Sequence, residues 1–214
     1  MKAATVLVLA AAAALAAGCA DPERSRDLAN PKVSAVTLAQ QVCANCHGTN
    51  GNSVSPNFPK LAGQVAPYLV AQLNGFKSHN RRDPAGYEYM WGLSRSLTED
   101  QIKGLADYYA SQTLTPQGIE GDRRRLDAGR SIFASGVAAA GVSACAGCHG
   151  DRGQGMGAFP RIAGQHRDYL VKQLIVFQRT DQRPEGAVMK TVAHALTQQN
   201  IDDVADYLQA LPGL

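Results

Sequence analysis

Two copies of the pattern Cys-x-x-Cys-His, about a hundred residues apart, constrain this chain more than any other feature. This spacing is the attachment signature of c-type haem. Two thiols on one helical turn can add across the two vinyl groups of a haem, and the adjacent imidazole then reaches the iron from the same side. The pattern therefore predicts two covalently bound haem c groups. The predicted attachment residues are Cys43, Cys46, Cys145 and Cys148, and the predicted axial imidazoles are His47 and His149.

Two other chemistries use closely spaced cysteines. A thioredoxin-like dithiol needs no adjacent histidine and lies near a βαβ pattern, which the sequence does not show. A four-ligand zinc site would have to combine the two motifs across the residues that separate them. Because both copies carry the histidine in the same place, haem attachment is the favoured interpretation.

The chain also repeats itself outside these motifs. Residues 59–64 (PKLAGQ) match residues 160–165 (PRIAGQ), and residues 68–73 (YLVAQL) match residues 169–174 (YLVKQL). A period near a hundred residues is too long for a solenoid, so the sequence predicts a duplicated domain. The predicted division is a first domain at residues 33–112, a linker at 113–121 and a second domain at 122–214.

Within each copy the hydrophobic pattern is helical. Leu69, Leu73 and Phe76 follow the i, i+4, i+7 spacing of an amphipathic helix, and the same spacing recurs in the second copy. Thr98 is the predicted N-cap of the last helix of the first copy, and Thr197 occupies the same place in the second. No stretch shows a convincing β alternation. The predicted fold class is all-α, with two tandem domains related by internal duplication.

The first eighteen residues (1–18) have the features of an export signal, with Lys2 followed by an unbroken apolar stretch. This stretch is too short for a comfortable membrane span. Cys19 follows Leu-Ala-Ala-Gly, which resembles a bacterial lipobox, so it is predicted to be lipidated and to begin the mature protein. The alternative is ordinary cleavage around Ala20, which would remove Cys19 with the signal. Residues 19–32 are polar and are predicted to form a flexible tether.

The second axial position of each iron decides between electron transfer and chemistry on bound ligands. Met90 and Met189 fall at matching places in the repeat, 43 and 40 residues after the two motif histidines. Each is predicted to lie in a loop before the last helix and to be the sixth iron ligand, which would raise the haem potential. Met156 has no counterpart in the first copy and is predicted to fill a gap in the core.

Other polar and aromatic side chains carry weaker signals. The remaining histidines, which have no matched partners, are predicted to be exposed polar residues; they are His79, His166 and His194. Tyr68 and Tyr169 are predicted to lie either in the haem pockets or between the domains. The arginines after the middle helices either pair with haem propionates or lie on a solvated surface; they are Arg81, Arg82 and Arg183.

Composition excludes one class of partner. The net charge is a mild +3, and it is spread evenly over the two halves of the chain. A nucleic-acid-binding domain carries a clustered basic excess, so nucleic acid is not a predicted partner. Aromatic residues make up only 6% of the chain, so each domain has a thin core that a large apolar macrocycle would complete.

These residues resemble the dihaem cytochrome c4 proteins of bacterial periplasms. The resemblance spans residue 33 to the C-terminus, and it rests on the two Cys-x-x-Cys-His-Gly motifs, the doubled Pro-x-[Leu/Ile]-Ala-Gly-Gln block and the methionine segments. It implies two class I cytochrome c folds related by a pseudo-twofold axis, with haems close to the domain interface and Met–His ligation at both irons. In monohaem cytochromes a loop carbonyl faces the ligating imidazole, and Pro59 and Pro160 suit that position.

The resemblance also implies a function. The expected role is a periplasmic electron carrier, not an enzyme, between a quinol-oxidising complex and a haem–copper terminal oxidase. The alternatives are the cytochrome subunit of a periplasmic dehydrogenase and a dihaem peroxidase. A peroxidase needs an iron that sheds its sixth ligand, which the matched methionines disfavour. A dehydrogenase subunit would use the same ligands and differ in its docking surface. The expected partners are redox proteins, and the membrane through a lipid on Cys19.

Overall fold

A computed structural model describes residues 24–116 and 122–212 of the chain. The predicted signal (1–18), Cys19 and residues 117–121 of the predicted linker lie outside the described residues. Across the described ranges the regular structure is helical, and the only β pairing is two isolated bridges. This confirms the all-α prediction. None of the described helices is long and apolar enough to cross a membrane.

The first domain opens with a helix that runs directly into the first haem motif. Its helices are α1 (Ala35–Leu38), α2 (Ala44–His47), α3 (Ala66–Lys77), α4 (Trp91–Ser94) and α5 (Glu99–Ala110). A π-helical turn, Ala39–Cys43, joins α1 to α2 without a break, and a second one, Gly86–Met90, leads into α4. Ser34 begins the helix, because its hydroxyl accepts a hydrogen bond from the Thr37 N–H.

The second domain repeats this order. Its helices are α6 (Arg123–Ser135), α7 (Ala146–His149), α8 (Arg167–Arg179), α9 (Ala187–Ala193) and α10 (Gln198–Ala210). Thr98 and Thr197 are the N-caps of the last helices, as predicted, and each forms a capping box with the third helical residue. The two domains therefore start their last helices in the same way.

In both domains the last helix crosses the first and the middle helices and buries its apolar face against them. Helix α5 packs on α1 and α3, around Leu38 and Ile102, and α10 packs on α6 and α8, around Phe133 and Ile201. The closest approach is at Gly129, where an added Cβ would lie 2.0 Å from a backbone carbonyl of α10. A glycine at that crossing lets the two helix backbones touch.

The described part of the predicted tether is packed, not free. Leu28 lies against the core of the first domain, and the Gln101 side chain donates hydrogen bonds to the carbonyls of Asn30 and Val33 over 3.0 Å each. Residues 24–32 are therefore held by the domain, because the Leu28 side chain and the Asn30 carbonyl find partners there.

Candidate haem sites

Each Cys-x-x-Cys-His motif ends a short helix and is followed by a sharp turn. His47 is the last residue of α2, and His149 is the last residue of α7. The glycines that follow, Gly48 and Gly150, have φ of 77° and 81°, a region that favours glycine. Both imidazoles are buried. The turn brings the loop after each motif back to its histidine.

Both imidazoles are held by a proline carbonyl, as the resemblance implied. His47 Nδ1 lies 2.9 Å from the Pro59 oxygen, and His149 Nδ1 lies 2.8 Å from the Pro160 oxygen. Because a carbonyl can only accept, Nδ1 carries the proton in each ring. Burial lowers the pKa of both imidazoles, which favours the neutral form. In that tautomer Nε2 keeps its lone pair, which is what an iron ligand requires.

None of the four motif cysteines is paired in a disulfide, so each sulfur is available to bond a haem. Cys43, Cys46 and Cys145 are partly buried, and Cys148 is exposed. Burial raises the pKa of the Cys43 and Cys145 thiols to about 11, which disfavours the thiolate form. A redox-active dithiol needs a lowered thiol pKa, so this alternative is disfavoured. A zinc site is also disfavoured, because no group of three His, Cys, Asp or Glu side chains in residues 24–116 and 122–212 is arranged to hold a metal ion.

Met90 and Met189 lie on short helical segments, so the prediction that they lie in loops was wrong. Met90 ends the π-turn before α4, and Met189 lies within α9. Helical hydrogen bonds pair the backbone N–H and C=O groups of these half-buried segments, whereas a loop would leave some of those groups unpaired. Each segment packs against the middle helix of its own domain, α3 or α8. Both side chains are half-buried at equivalent places in the two domains.

Met156 does not fill a gap in the core, contrary to the prediction. Its side chain is 54% exposed, and its backbone pairs with Phe159 in an isolated bridge. The surrounding glycines, Gly155 and Gly157, adopt positive φ and turn the loop outward at this point. The second domain therefore offers a half-buried methionine in α9 and an exposed one in the loop after its haem motif.

One of the three unmatched histidines is a buried interdomain residue, so the prediction that it is exposed was wrong. His166 lies at the N-cap of α8, and its Nε2 is 2.9 Å from the Ser53 hydroxyl and 3.0 Å from the Ser53 carbonyl oxygen. Docking of the two domains covers this ring, and a sequence pattern within one domain cannot show that. His194 is exposed as predicted, whereas His79 is half-buried between the rings of Tyr87 and Trp91.

Two of the arginines lie buried between the domains, so the solvated-surface alternative is wrong for them. Arg81 Nη1 donates to Gln72 Oε1 in its own domain over 2.6 Å, and Arg183 Nη1 donates to Gln173 Oε1 in its own domain over 2.6 Å. Arg183 also reaches Gln72 across the interface over 2.8 Å, and Arg81 reaches Gln173 over 3.4 Å. Arg82, by contrast, is exposed.

Acidic and aromatic groups complete this buried cluster. Arg81 Nε donates to Asp83 Oδ1 over 2.8 Å. Burial alone would raise the pKa of the Asp83 carboxyl, but the facing Arg81 outweighs it and the pKa is lowered. Tyr68 accepts a hydrogen bond from Arg183 over 3.4 Å, which favours the interdomain alternative for this tyrosine. The interface is therefore a charged network whose buried polar groups are paired both within each domain and across the domain boundary.

Two further buried cations have no acidic partner in the described residues. The Lys60 ammonium donates to the Thr115 carbonyl over 2.8 Å, and Arg161 donates to the Lys60 carbonyl over 3.1 Å. Within residues 24–116 and 122–212 the Nε of Arg161 has no hydrogen-bond partner, and burial lowers the pKa of this guanidinium to about 10. A haem carries two propionate carboxylates, and these could pair with buried cations that have no acidic partner in the described part of the chain. The available groups, imidazole Nε2, thiols and unpaired cations, fit haem c. Sequence reasoning missed Lys60 and Arg161, although both lie within the doubled block.

Comparison with known proteins agrees with this geometry. A family model for cytochrome c matches the chain twice, at residues 34–113 and 127–212. A cytochrome c4 from Thiocapsa roseopersicina is 39% identical over 178 residues, covering 81% of this chain and 88% of the relative. A cytochrome c4 structure from Acidithiobacillus ferrooxidans superposes with a TM-score of 0.73 at 38% identity, covering 79% of this chain and 98% of that one.

A third relative bears on the choice between possible partners. A thiosulfate dehydrogenase electron acceptor from Stutzerimonas stutzeri is 29% identical over 173 residues, covering 79% of this chain and 78% of the relative. The cytochrome c4 relatives are electron carriers, and two cytochrome c domains imply two covalently bound haem c groups. The chain belongs to the dihaem cytochrome c4 family, and it is an electron carrier, not an enzyme.

Proposed function

We propose that this chain carries electrons in the periplasm from a quinol-oxidising complex to a terminal oxidase. In the first domain Cys43 and Cys46 bind the haem, and His47 and Met90 are its axial ligands. In the second domain the same roles fall to Cys145 with Cys148, and to His149 with Met189. The observation that carries this proposal is that both motif imidazoles are buried and held by a proline carbonyl in the same tautomer.

The protein's own groups would tune two equivalent centres. When bound, each haem supplies an iron that accepts and releases one electron. Pro59 and Pro160 hold the imidazole rings and raise their basicity through the Nδ1–H bond. Met90 and Met189 would close the remaining axial positions, which suits electron transfer and leaves no site for a substrate. Burial of both imidazoles excludes water from that side of each centre.

A second candidate is an electron acceptor for a periplasmic dehydrogenase. The similarity to the thiosulfate dehydrogenase electron acceptor of Stutzerimonas stutzeri favours this candidate. Both candidates use the same iron ligands, so only the electron donor separates them. We expect the oxidised protein to be reduced rapidly by a purified quinol-oxidising complex with its quinol, and to be reoxidised rapidly by a terminal oxidase.

Stopped-flow absorbance of the haem bands measures both rates, and a thiosulfate dehydrogenase with thiosulfate is the matched donor. Rapid reduction by the dehydrogenase, together with slow reduction by the quinol-oxidising complex, would favour the second candidate instead.

We propose further that Cys19 is lipidated and anchors the protein to the membrane. The support is its position after Leu-Ala-Ala-Gly at the end of an apolar export signal. Two acyl chains give stable membrane association, whereas a single chain is marginal. We expect Cys19→Ser to move the protein to the soluble fraction or to block processing. Fractionation and N-terminal mass spectrometry test this, and a native mature N-terminus at Ala20 or Asp21 would contradict it.

A further inference from the structure

The glutamine side chain of each Ala-Gly-Gln segment forms hydrogen bonds with the other domain, at the loop whose proline carbonyl binds that domain's histidine. The Lys60 N–H donates to Gln165 Oε1 over 2.8 Å, and Gln165 Nε2 donates back to the Lys60 carbonyl over 3.0 Å. In the equivalent contact of the other copy, the Arg161 N–H donates to Gln64 Oε1 over 2.6 Å, and Gln64 Nε2 donates to the Arg161 carbonyl over 2.9 Å. All four residues are buried.

These contacts act on the peptide group that binds the imidazole. The Lys60 N–H belongs to the same planar peptide as the Pro59 carbonyl, and that carbonyl accepts the Nδ1–H of His47. A peptide that donates at its N–H accepts more strongly at its carbonyl, because hydrogen bonds in a chain polarise one another. A continuous chain therefore runs from Gln165 in the second domain, through one peptide, to His47 in the first domain.

The same chain runs in the opposite direction on the other side. Gln64 in the first domain binds the Arg161 N–H, whose peptide carbonyl at Pro160 accepts from His149 in the second domain. The two chains are related by the duplication, and both cross the domain boundary. Burial keeps water from replacing either glutamine, so each amide is the partner on which the peptide depends.

We propose that Gln64 and Gln165 are positioning residues that tune the axial histidine of the opposite domain: Gln165 acts on His47, and Gln64 acts on His149. A stronger carbonyl acceptor makes the imidazole more basic, which stabilises the oxidised iron and lowers the haem potential. Each domain thereby sets part of the potential of the other's haem. This inference rests on the proposed ligation of the irons by His47 and His149.

A local role is the competing explanation. Gln64 Oε1 also accepts the N–H of Val65, and Gln165 Oε1 also accepts the N–H of His166, each over 3.0 Å at the start of its own helix. If the glutamines served only as helix caps, replacing one would disturb its own domain. The crosswise contacts predict the disturbance in the other domain, so the two explanations differ in which haem responds.

The test uses the holoprotein with Gln165→Met and Gln64→Met, which keep the length of the side chain and remove its hydrogen bonds. Two-wave voltammetry measures both haem potentials, and paramagnetic NMR of labelled histidines reports each ring's Nδ1–H. We expect Gln165→Met to raise the potential of the first-domain haem and to shift the Nδ1–H resonance of His47. Gln64→Met should do the same to the second-domain haem and His149.

Two further variants complete the test. Tyr68→Phe removes a different buried cross-domain contact, the bond from Arg183, and should leave both potentials and both Nδ1–H resonances in place. Gln165→Glu keeps an acceptor for the Lys60 N–H, and a charged acceptor is stronger, so the first-domain potential should fall. Even if Gln165→Met does not fold, a rise in the first-domain haem potential of Gln165→Glu would overturn the proposal.

The outcomes separate this inference from the ligand assignment. Responses confined to the domain of the replaced glutamine, or equal at both haems, overturn the crosswise tuning while the ligands stand. A wild-type protein in which the ring of His47 or His149 shows no paramagnetic shift would refute ligation by that residue, and with it the premise of the inference.

Discussion

Replacing Met90 with alanine should abolish the sulfur-to-iron charge-transfer band of the first-domain haem and lower its potential. A thioether ligand stabilises the reduced iron, so its loss favours the oxidised form. Axial ligands move haem potentials over a range of about 0.8 V, so the drop should exceed the ~59 mV that corresponds to a tenfold change in a one-electron equilibrium. Absorption spectroscopy and voltammetry of the purified protein measure both effects.

Met189→Ala should do the same to the second-domain haem, because the two methionines occupy equivalent places. Each lies in a half-buried helical segment that packs against the middle helix of its own domain. Either variant should also gain carbon monoxide binding at one haem, since an axial position opens. The wild-type protein should bind carbon monoxide poorly at neutral pH.

Met156→Ala is the matched control for the second domain. Met156 is 54% exposed, and it lies in the loop between His149 and Pro160. Its replacement should leave both charge-transfer bands and both potentials unchanged. If Met156→Ala removes a band while Met189→Ala does not, the assignment of the second-domain ligand is wrong.

The elements that local sequence determines were predictable from the chain. The middle helices follow from apolar spacing, and the starts of the last helices follow from Thr98 and Thr197, whose hydroxyls accept backbone N–H groups within their own turn. The placement of the imidazoles by Pro59 and Pro160 came from the resemblance. In each case the interaction lies within one domain, where the repeat itself supplies the context.

The interface between the domains could not be predicted, because burial there depends on how two folded units dock. Arg81 and His166 are residue types that usually lie at a protein surface, and here the facing domain covers them. Gln64 and Gln165 stand in the most specific repeated block of the sequence, yet neither binds the Lys60 or Arg161 peptide of its own copy. The repeat places Gln64 and Gln165 at equivalent positions in the two copies, and the structure adds that the partners of each lie in the other copy.

The largest expected effect on haem content comes from replacing both cysteines of one haem motif. The double variant Cys145→Ala with Cys148→Ala should carry one covalently bound haem per chain instead of two. Each pair is the only pair of thiols in its Cys-x-x-Cys-His motif, and a thiol is required for each bond to the macrocycle. Intact mass spectrometry of the denatured mature protein counts the attached haems directly.

The loss should also weaken the second domain while the first keeps its haem. Cys145 and Ala146 pack against the apolar cluster that contains Phe133 and Val204, so a haem attached at this motif would be bonded to a residue of that core. A small domain with a thin core depends on such additional apolar surface. We therefore expect the charge-transfer band of the first-domain haem to remain and the thermal stability of the second domain to fall.

Cys19→Ser provides the control, because it removes a cysteine outside both motifs and should leave two haems attached per chain. The reciprocal variant, Cys43→Ala with Cys46→Ala, should lose the first-domain haem and keep the second, since each motif binds its own haem. Two attached haems in either double variant, or free thiols at either motif of the wild-type protein, would contradict the assignment of the four cysteines. With one haem lost in each double variant and two kept in Cys19→Ser, every covalent bond would be assigned to its motif.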